Sequence, residues 1–251
     1  MDLVERLGPK VLSDLCFLNA SFTEFGLYYS LIGATALLIH RIDLARTTQD
    51  LDVAVAVRED LKSAIDELAS RGFRKMKNPH RLLSPNGTQV DILPVTEESR
   101  KTDVISWPDG TTMSAVGLAE ALDRALDVRL SECAIRVAPL PILAALKLLA
   151  STSPDRYGKG DLNDFLECLE QYELQGERRF SVYDLTEEEL SFDQAGAFLV
   201  GHELKSVVHP STMQSVYEAL AAMSTASSES MRPETQDQLQ ELVRGFRLGL
   251  G

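Results

Sequence analysis

The feature that most constrains this chain is a pair of aspartates set into a segment patterned as a buried strand. Across Asp50–Val57, Leu51, Val53, Val55 and Val57 alternate with Asp50, Asp52, Ala54 and Ala56. Residues i and i+2 of a strand point to the same side, so both carboxylates converge on one place. Carboxylates held together without a counterion repel, and one of them is driven toward protonation. A divalent cation removes that cost, and Mg2+ favours one or two carboxylates together with waters and substrate phosphates. Asp91 is a third candidate, flanked by apolar residues within Gln89–Leu93. If its strand lies beside Asp50–Val57, three carboxylates form a cluster able to hold two metal ions. A plainer account, with the three aspartates at solvent-facing or edge positions of a half-exposed sheet, remains open at this level.

The surrounding pattern is that of an α+β chain. Leu3, Leu7, Val11, Leu15 and Leu18 follow helical spacing over 3–20, and Leu27–Ile32 is a short apolar strand ended by Gly33, with a helix over Ala34–His40. A helix is expected over Asp60–Ser70. A hairpin is expected over His80–Leu93, with Pro85, Asn86 and Gly87 at the turn. Short strands fit Thr112–Val116 and Ala134–Val137. Beyond Pro141 the periodicity turns helical over 141–152, 160–174, 193–208, 211–223 and 233–247, with the serine-rich stretch Ser224–Ser230 as a loop. The division falls at two prolines: residues 1–138 form the α/β part and 139–251 a helical C-terminal region.

Charge and cysteine usage narrow the function classes. The net charge of −13 is uneven: −3 over residues 1–150 and −10 over 151–251. A whole-surface attraction for nucleic acid is not expected, because counterion release needs clustered positive charge, which leaves room only for a local patch. The one dense basic run is Arg71, Arg74, Lys75, Lys77, His80 and Arg81, which reads more simply as a solvated face than as an RNA contact. The apolar runs Gly26–Ile39 and Val137–Leu146 are shorter than the roughly 20 residues of a membrane span, and Met1–Lys10 lacks a signal pattern. Cys16, Cys133 and Cys168 are odd in number and widely spaced. They are read as buried reduced thiols of a cytoplasmic protein, with neither a disulfide framework nor a metal-binding pair. His40 and His80 show no zinc-ligand pattern, and Trp107, ahead of the turn at Pro108–Gly110, is expected to pack against the sheet.

Upstream of the aspartates, Gly33, Ala34 and Thr35 stand at a strand-to-helix junction. A glycine there lets a phosphate approach the backbone, and a new helix offers unpaired N–H groups; a turn that needs glycine for packing is the alternative. Together these features resemble the DNA-polymerase-beta-like nucleotidyltransferase superfamily: a glycine turn, a helix, Asp-x-Asp on a strand and a third carboxylate on a later strand. Gly33–Ala36 followed by Arg46–Asp52 is similar, more narrowly, to the AbiEii-type branch. Lys147, Arg156, Lys159, Asp161 and Asp164 continue that likeness, which covers about residues 25–175. Ala34 stands where the branch has a second glycine or a serine, and Gly160 separates Lys159 from Asp161.

The resemblance implies a nucleotidyltransferase-type mixed β-sheet flanked by helices, followed by the helical C-terminal region. It also implies Mg2+ (or Mn2+) and a nucleoside triphosphate substrate. Asp50, Asp52 and Asp91 would hold the metal and act catalytically, with Asp91 completing the second metal position or taking the proton of the attacking hydroxyl. Gly33, Ala34, Thr35 and Lys147 would bind the nucleotide, with Arg46, Arg156, Lys159, Asp161 and Asp164 as acceptor or accessory residues. Lys147 could equally lay its stem over an apolar helix. Arg156 could pair with Asp161 or Asp164, and either aspartate could cap its helix. The implied reaction is transfer of a nucleoside monophosphate to an acceptor hydroxyl. The acceptor could be RNA, as for a toxin with a partner antitoxin protein, or a small hydroxylated molecule of the aminoglycoside kind. A degenerate member that binds nucleotide or a partner without turnover is the non-enzymatic alternative.

Overall fold

A computed structural model describes residues 3–57, 61–153, 160–226 and 233–251. The chain forms two compact units, one of residues 1–41 and 45–139, the other of 42–44 and 140–251.

The first unit opens with helix α1 (Leu3–Glu24), kinked at Gly8, whose φ of 74° ends one helical segment as Pro9 starts the next. Leu7, Val11, Leu15, Leu18 and Phe22 form its buried stripe, continuing the expected spacing. Strand β1 (Tyr29–Ile32) runs directly into helix α2 (Gly33–Ile39). Next come β2 (Leu51–Ala56), α3 (Leu61–Ser70), β3 (Arg74–Lys75), β4 (Arg81–Leu83) and β5 (Gln89–Val95). Helix α4 (Glu97–Thr102) begins at a capping box, in which Thr96 Oγ1 accepts from the Ser99 N–H and Ser99 Oγ accepts from the Thr96 N–H. Beyond it are β6 (Val104–Ser106), β7 (Thr112–Ser114), α5 (Leu118–Asp123), β8 (Leu126–Arg129) and β9 (Ala134–Val137).

Seven of these strands form one mixed sheet in the order β3-β4-β5-β2-β1-β9-β8. Leu31, Leu51, Val53, Val55, Leu82, Val90, Ile92 and Val137 are buried in it. The fold class is therefore α+β, with a mixed sheet flanked by helices. The hairpin expected over His80–Leu93 is present as β4 and β5, with Leu83 opposite Gln89. Thr112–Ser114 instead pairs with Val104–Ser106 in a separate two-stranded sheet. Trp107 lies against the ring of His80, with centroids 4.5 Å apart and planes tilted by 32°, and the His80 carbonyl oxygen accepts from the Ile92 N–H of β5 at 2.8 Å.

One expectation is overturned. Cys16 of α1 and Cys133, between β8 and β9, are joined in a disulfide with Cα atoms 5.6 Å apart, and only Cys168 is a free, buried thiol. The partners are 117 residues apart. No spacing rule pairs them in a chain with one cysteine left over; the fold does so by bringing α1 alongside β9.

The second unit is helical: α6 (Leu140–Ser151), α7 (Asp161–Gln171), a 3-10 segment (Glu177–Asp184), α8 (Phe192–Val207), α9 (Pro210–Ala226) and α10 (Pro233–Leu250). Ser191 and Gln194 form a capping box at the start of α8. Helices α8 and α10 approach backbone to backbone: a Cβ at Gly249 would collide with the carbonyl oxygen of Phe198. Phe165 and Phe246 meet edge to face at 5.4 Å between α7 and α10. Arg179 is buried nearby; its guanidinium donates to the carbonyl oxygens of Tyr172 at 2.8 Å, Phe192 at 3.1 Å and Glu170. Much of the stretch Ser224–Ser230 lies outside the described residues. No helix among the described residues is long and apolar enough to cross a membrane.

Candidate active site

Three neighbouring strands place the acidic residues. In the antiparallel β1–β2 pair Ile32 lies opposite Asp52, and in the parallel β2–β5 pair Asp52 lies beside Asp91. Register partners share a face of the sheet, so Asp52 and Asp91 emerge side by side. Asp50 precedes β2 by one residue; its Oδ1 accepts from Thr48 Oγ1 at 2.8 Å.

The glycine turn belongs to the same locus. Gly33 has a φ of 72°, in the left-handed region that side chains disfavour. An added Cβ would lie 3.0 Å from Asp52 Cβ and would collide with Asp52 Oδ2. Gly33 therefore serves two ends, turning β1 into α2 and leaving room for the Asp52 carboxylate. Ala34 and Thr35 are buried. The Thr35 hydroxyl donates to the carbonyl oxygen of Asp50 at 2.7 Å, tying α2 to the start of β2. Thr35 thus anchors the aspartate strand through its side chain, and only its backbone remains for a phosphate.

Arg81 is the functional neighbour that the sequence reading missed. It lies opposite Asp91 in the β4–β5 pair, and its fork donates Nε to Oδ1 and Nη2 to Oδ2, both at 2.7 Å. The hydrogen bonds to Asp91 hold the guanidinium pKa above its usual value, assisted by the charges of Asp91, Asp52 and Asp50. The available signal was the hairpin itself: once its turn is placed at Pro85–Gly87, Arg81 and Asp91 fall on facing strands. Other members of the basic run also have acidic neighbours, Arg71 with Glu24 and Lys75 with Asp66. Burial lowers the pKa of His80.

Within the helical unit, Lys147 and two aspartates form a group. The Lys147 ammonium lies 2.9 Å from Asp161 Oδ1 and 2.8 Å from Asp164 Oδ2, with all three side chains buried between α6 and α7. The lysine stem does not lead to solvent, and the aspartates in the first turn of α7 face the ammonium. Arg46 is exposed in the loop before β2, and Arg156 and Lys159 lie outside the described residues.

Among the described residues, no three His, Cys, Asp or Glu side chains converge as a ready metal-ligand set. The donors nevertheless suit a hard cation: they are all carboxylate oxygens, two of them on adjacent strands, under a turn where any Cβ would intrude on Asp52. What departs from a closed set is Asp91, both of whose oxygens are engaged by Arg81.

A model described as the nucleotidyl transferase AbiEii toxin of a type IV toxin–antitoxin system matches residues 16–246. The chain belongs to the AbiEii nucleotidyltransferase family and is an NTP-dependent nucleotidyltransferase. No curated protein matches it. Among solved structures, it is similar to an antigenic nucleotidyltransferase-like protein from Paracoccidioides brasiliensis, with 16% identity, 93% of this chain and 94% of that one covered, and a TM-score of 0.49. It is also similar to the lincosamide antibiotic adenylyltransferase LnuA, with 15% identity, 64% and 96% covered, and a TM-score of 0.41. A third likeness is to the antibiotic-resistance factor ANT(2'')-Ia, with 14% identity, 90% and 99% covered, and a TM-score of 0.40. At these scores the likenesses establish no substrate.

Proposed function

We propose that the protein uses Mg2+ or Mn2+ to transfer a nucleoside monophosphate from a nucleoside triphosphate to an acceptor hydroxyl, with Asp50, Asp52 and Asp91 as the acidic residues of the site. The observation that carries this reading is the placement of Asp52, under the Gly33 turn on one side and abreast of Asp91 on the other. The acceptor oxygen forms a bond to the α-phosphorus as the α–β phosphoanhydride bond breaks, and pyrophosphate leaves. Asp50 and Asp52 would hold the cation, which when bound supplies charge neutralisation at the phosphates. The amides of Ala34 and Thr35, at the start of α2, would face the phosphates. Asp91 would either join the cation site or accept the proton of the hydroxyl. Positioning and electrostatics then supply most of the rate, as in phosphoryl transfers generally.

The family description supports a toxin role set against a partner antitoxin protein; our reading takes RNA as the acceptor and the cytoplasm, where nucleoside triphosphates are abundant, as the place of action. The net charge of −10 over residues 151–251 favours a second acceptor class, a small cationic hydroxylated molecule of the aminoglycoside kind. The two are separated by incubating the protein with each α-labelled nucleoside triphosphate against total RNA and against a panel of aminoglycosides and lincosamides. The primary reading expects label in RNA; label confined to a drug would replace it with the second.

A further inference from the structure

Both oxygens of Asp91 are committed to a guanidinium in the protein without its substrate, and the register of the sheet makes this a built arrangement. Asp52, Asp91 and Arg81 occupy matching positions on β2, β5 and β4, so two carboxylates and one guanidinium stand in a row on one face. The Arg81 fork meets Asp91 with two 2.7 Å bonds, the geometry in which arginine grips a carboxylate most firmly. The pair is unequal in access: the Arg81 side chain is 31% exposed and that of Asp91 12%. The guanidinium, on a long stem, can leave, while the carboxylate is fixed on its strand. Charge points the same way. A cation drawn in further, to share Asp91, would meet the positive guanidinium.

We propose that Arg81 is a positioning residue that holds Asp91 out of the cation site until an anionic substrate draws its guanidinium away. A divalent cation bound without nucleotide is then held by Asp50 and Asp52, and Asp91 joins only when the triphosphate or an acceptor phosphate supplies a new partner for the Arg81 fork. Cation and nucleotide binding are thereby coupled through one side chain. This rests on the nucleotidyl-transfer reading above.

The test is Mn2+ binding, followed by the electron paramagnetic resonance signal of the free ion, first without nucleotide. Asp91→Asn in the native background is expected to weaken nucleotide-free binding by no more than about twofold, the loss of one charge rather than of a ligand, because both Asp91 oxygens are held by Arg81 there. Arg81→Gln is expected to tighten Mn2+ binding about tenfold, the low end of the effects seen when partners of metal ligands are changed. That gain should vanish in the double variant Arg81→Gln/Asp91→Asn. With a triphosphate analogue non-hydrolysable between the α- and β-phosphorus, Asp91→Asn should weaken Mn2+ binding about tenfold even in the native background. The proposal is overturned if Asp91→Asn weakens nucleotide-free binding as much as it weakens nucleotide-bound binding, or if Arg81→Gln folds and binds Mn2+ no more tightly. Should Arg81→Gln unfold, Arg81→Lys, which keeps the charge and loses the fork, is expected to tighten binding by a smaller factor, and no tightening there also overturns the proposal. Failure of the underlying reading looks different: Asp52→Asn would then leave Mn2+ binding unchanged.

Discussion

Replacing Gly33 by alanine perturbs backbone and site together, and the two effects can be separated. A non-glycine residue held at a φ of 72° carries a left-handed penalty of about 1–2 kcal/mol. In a domain of this size that corresponds to a fall in Tm of roughly 2–8 °C. The new Cβ would also stand where Asp52 Oδ2 now lies and 3.0 Å from Asp52 Cβ, so the carboxylate must rotate or the turn must open. A displacement near 1 Å in a catalytic group costs on the order of 100-fold in rate. Gly72→Ala provides the control. Gly72 also has a positive φ, 97°, but its added Cβ would meet only Pro85 Cγ, at 3.7 Å. It should lose comparable stability and keep its activity. Differential scanning fluorimetry and label transfer from an α-labelled nucleoside triphosphate measure the two quantities. Gly33→Ala with nucleotidyl transfer within about twofold of the native protein would refute the argument that the turn and Asp52 form one locus.

The disulfide, the helical unit and a half-buried histidine each give a further expectation. Cys133→Ser should lower stability by about 2–5 kcal/mol under oxidising conditions, the upper end being what the closure of a loop spanning 117 positions gives. In excess reductant the native and variant proteins should unfold together, and chemical denaturation under both conditions checks this. Arg179→Ala leaves the carbonyl oxygens of Glu170, Tyr172 and Phe192 without their donors, for a loss of about 3 kcal/mol or more in urea unfolding. A loss under about 1 kcal/mol would show those carbonyls re-satisfied by water. His40 Nε2 donates to the Ala138 carbonyl oxygen at 2.8 Å, and burial holds the His40 pKa below 6.5. The unfolded chain therefore binds the proton first, so the His40 contribution is complete above pH 6.5 and is lost as pH falls toward the folded pKa. A Tm profile between pH 8 and 5 should flatten in His40→Gln; an unchanged profile would exclude His40 as its source.

How much of this was legible in the sequence depends on the range of each interaction. The α1 stripe, the Asp50–Val57 alternation and the helices from Leu140 onward follow local periodicity, and the structure places them within a few residues of their expected bounds. Local pattern puts Asp52 and Asp91 each on a strand, but their neighbourhood stays conditional in the sequence, because it depends on the parallel pairing of β2 with β5, which no turn between them fixes. Thr35 was read as a phosphate contact, whereas its hydroxyl is used by Asp50; no pattern within the helix shows which carbonyl lies beyond it. Lys147 invited both a solvent and a substrate account because its aspartates lie 14 and 17 positions away on another helix. The Cys16–Cys133 bridge depends on how α1 packs beside β9, which no spacing rule encodes. The Arg81–Asp91 pair sits between these extremes: the hairpin puts both residues on facing strands, while the basic residues around Arg81 have the pattern of a solvated face.

The central claim is nucleotidyl transfer on Asp50 and Asp52, and the most direct measurement compares α- and γ-labelled nucleoside triphosphate with the same acceptor pool and Mg2+. The account predicts that α-label enters the acceptor, that γ-label leaves in pyrophosphate, and that Asp50→Asn/Asp52→Asn abolishes both while the variant still folds. Entry of γ-label into the acceptor, or α-label transfer undiminished in the double variant, would contradict it.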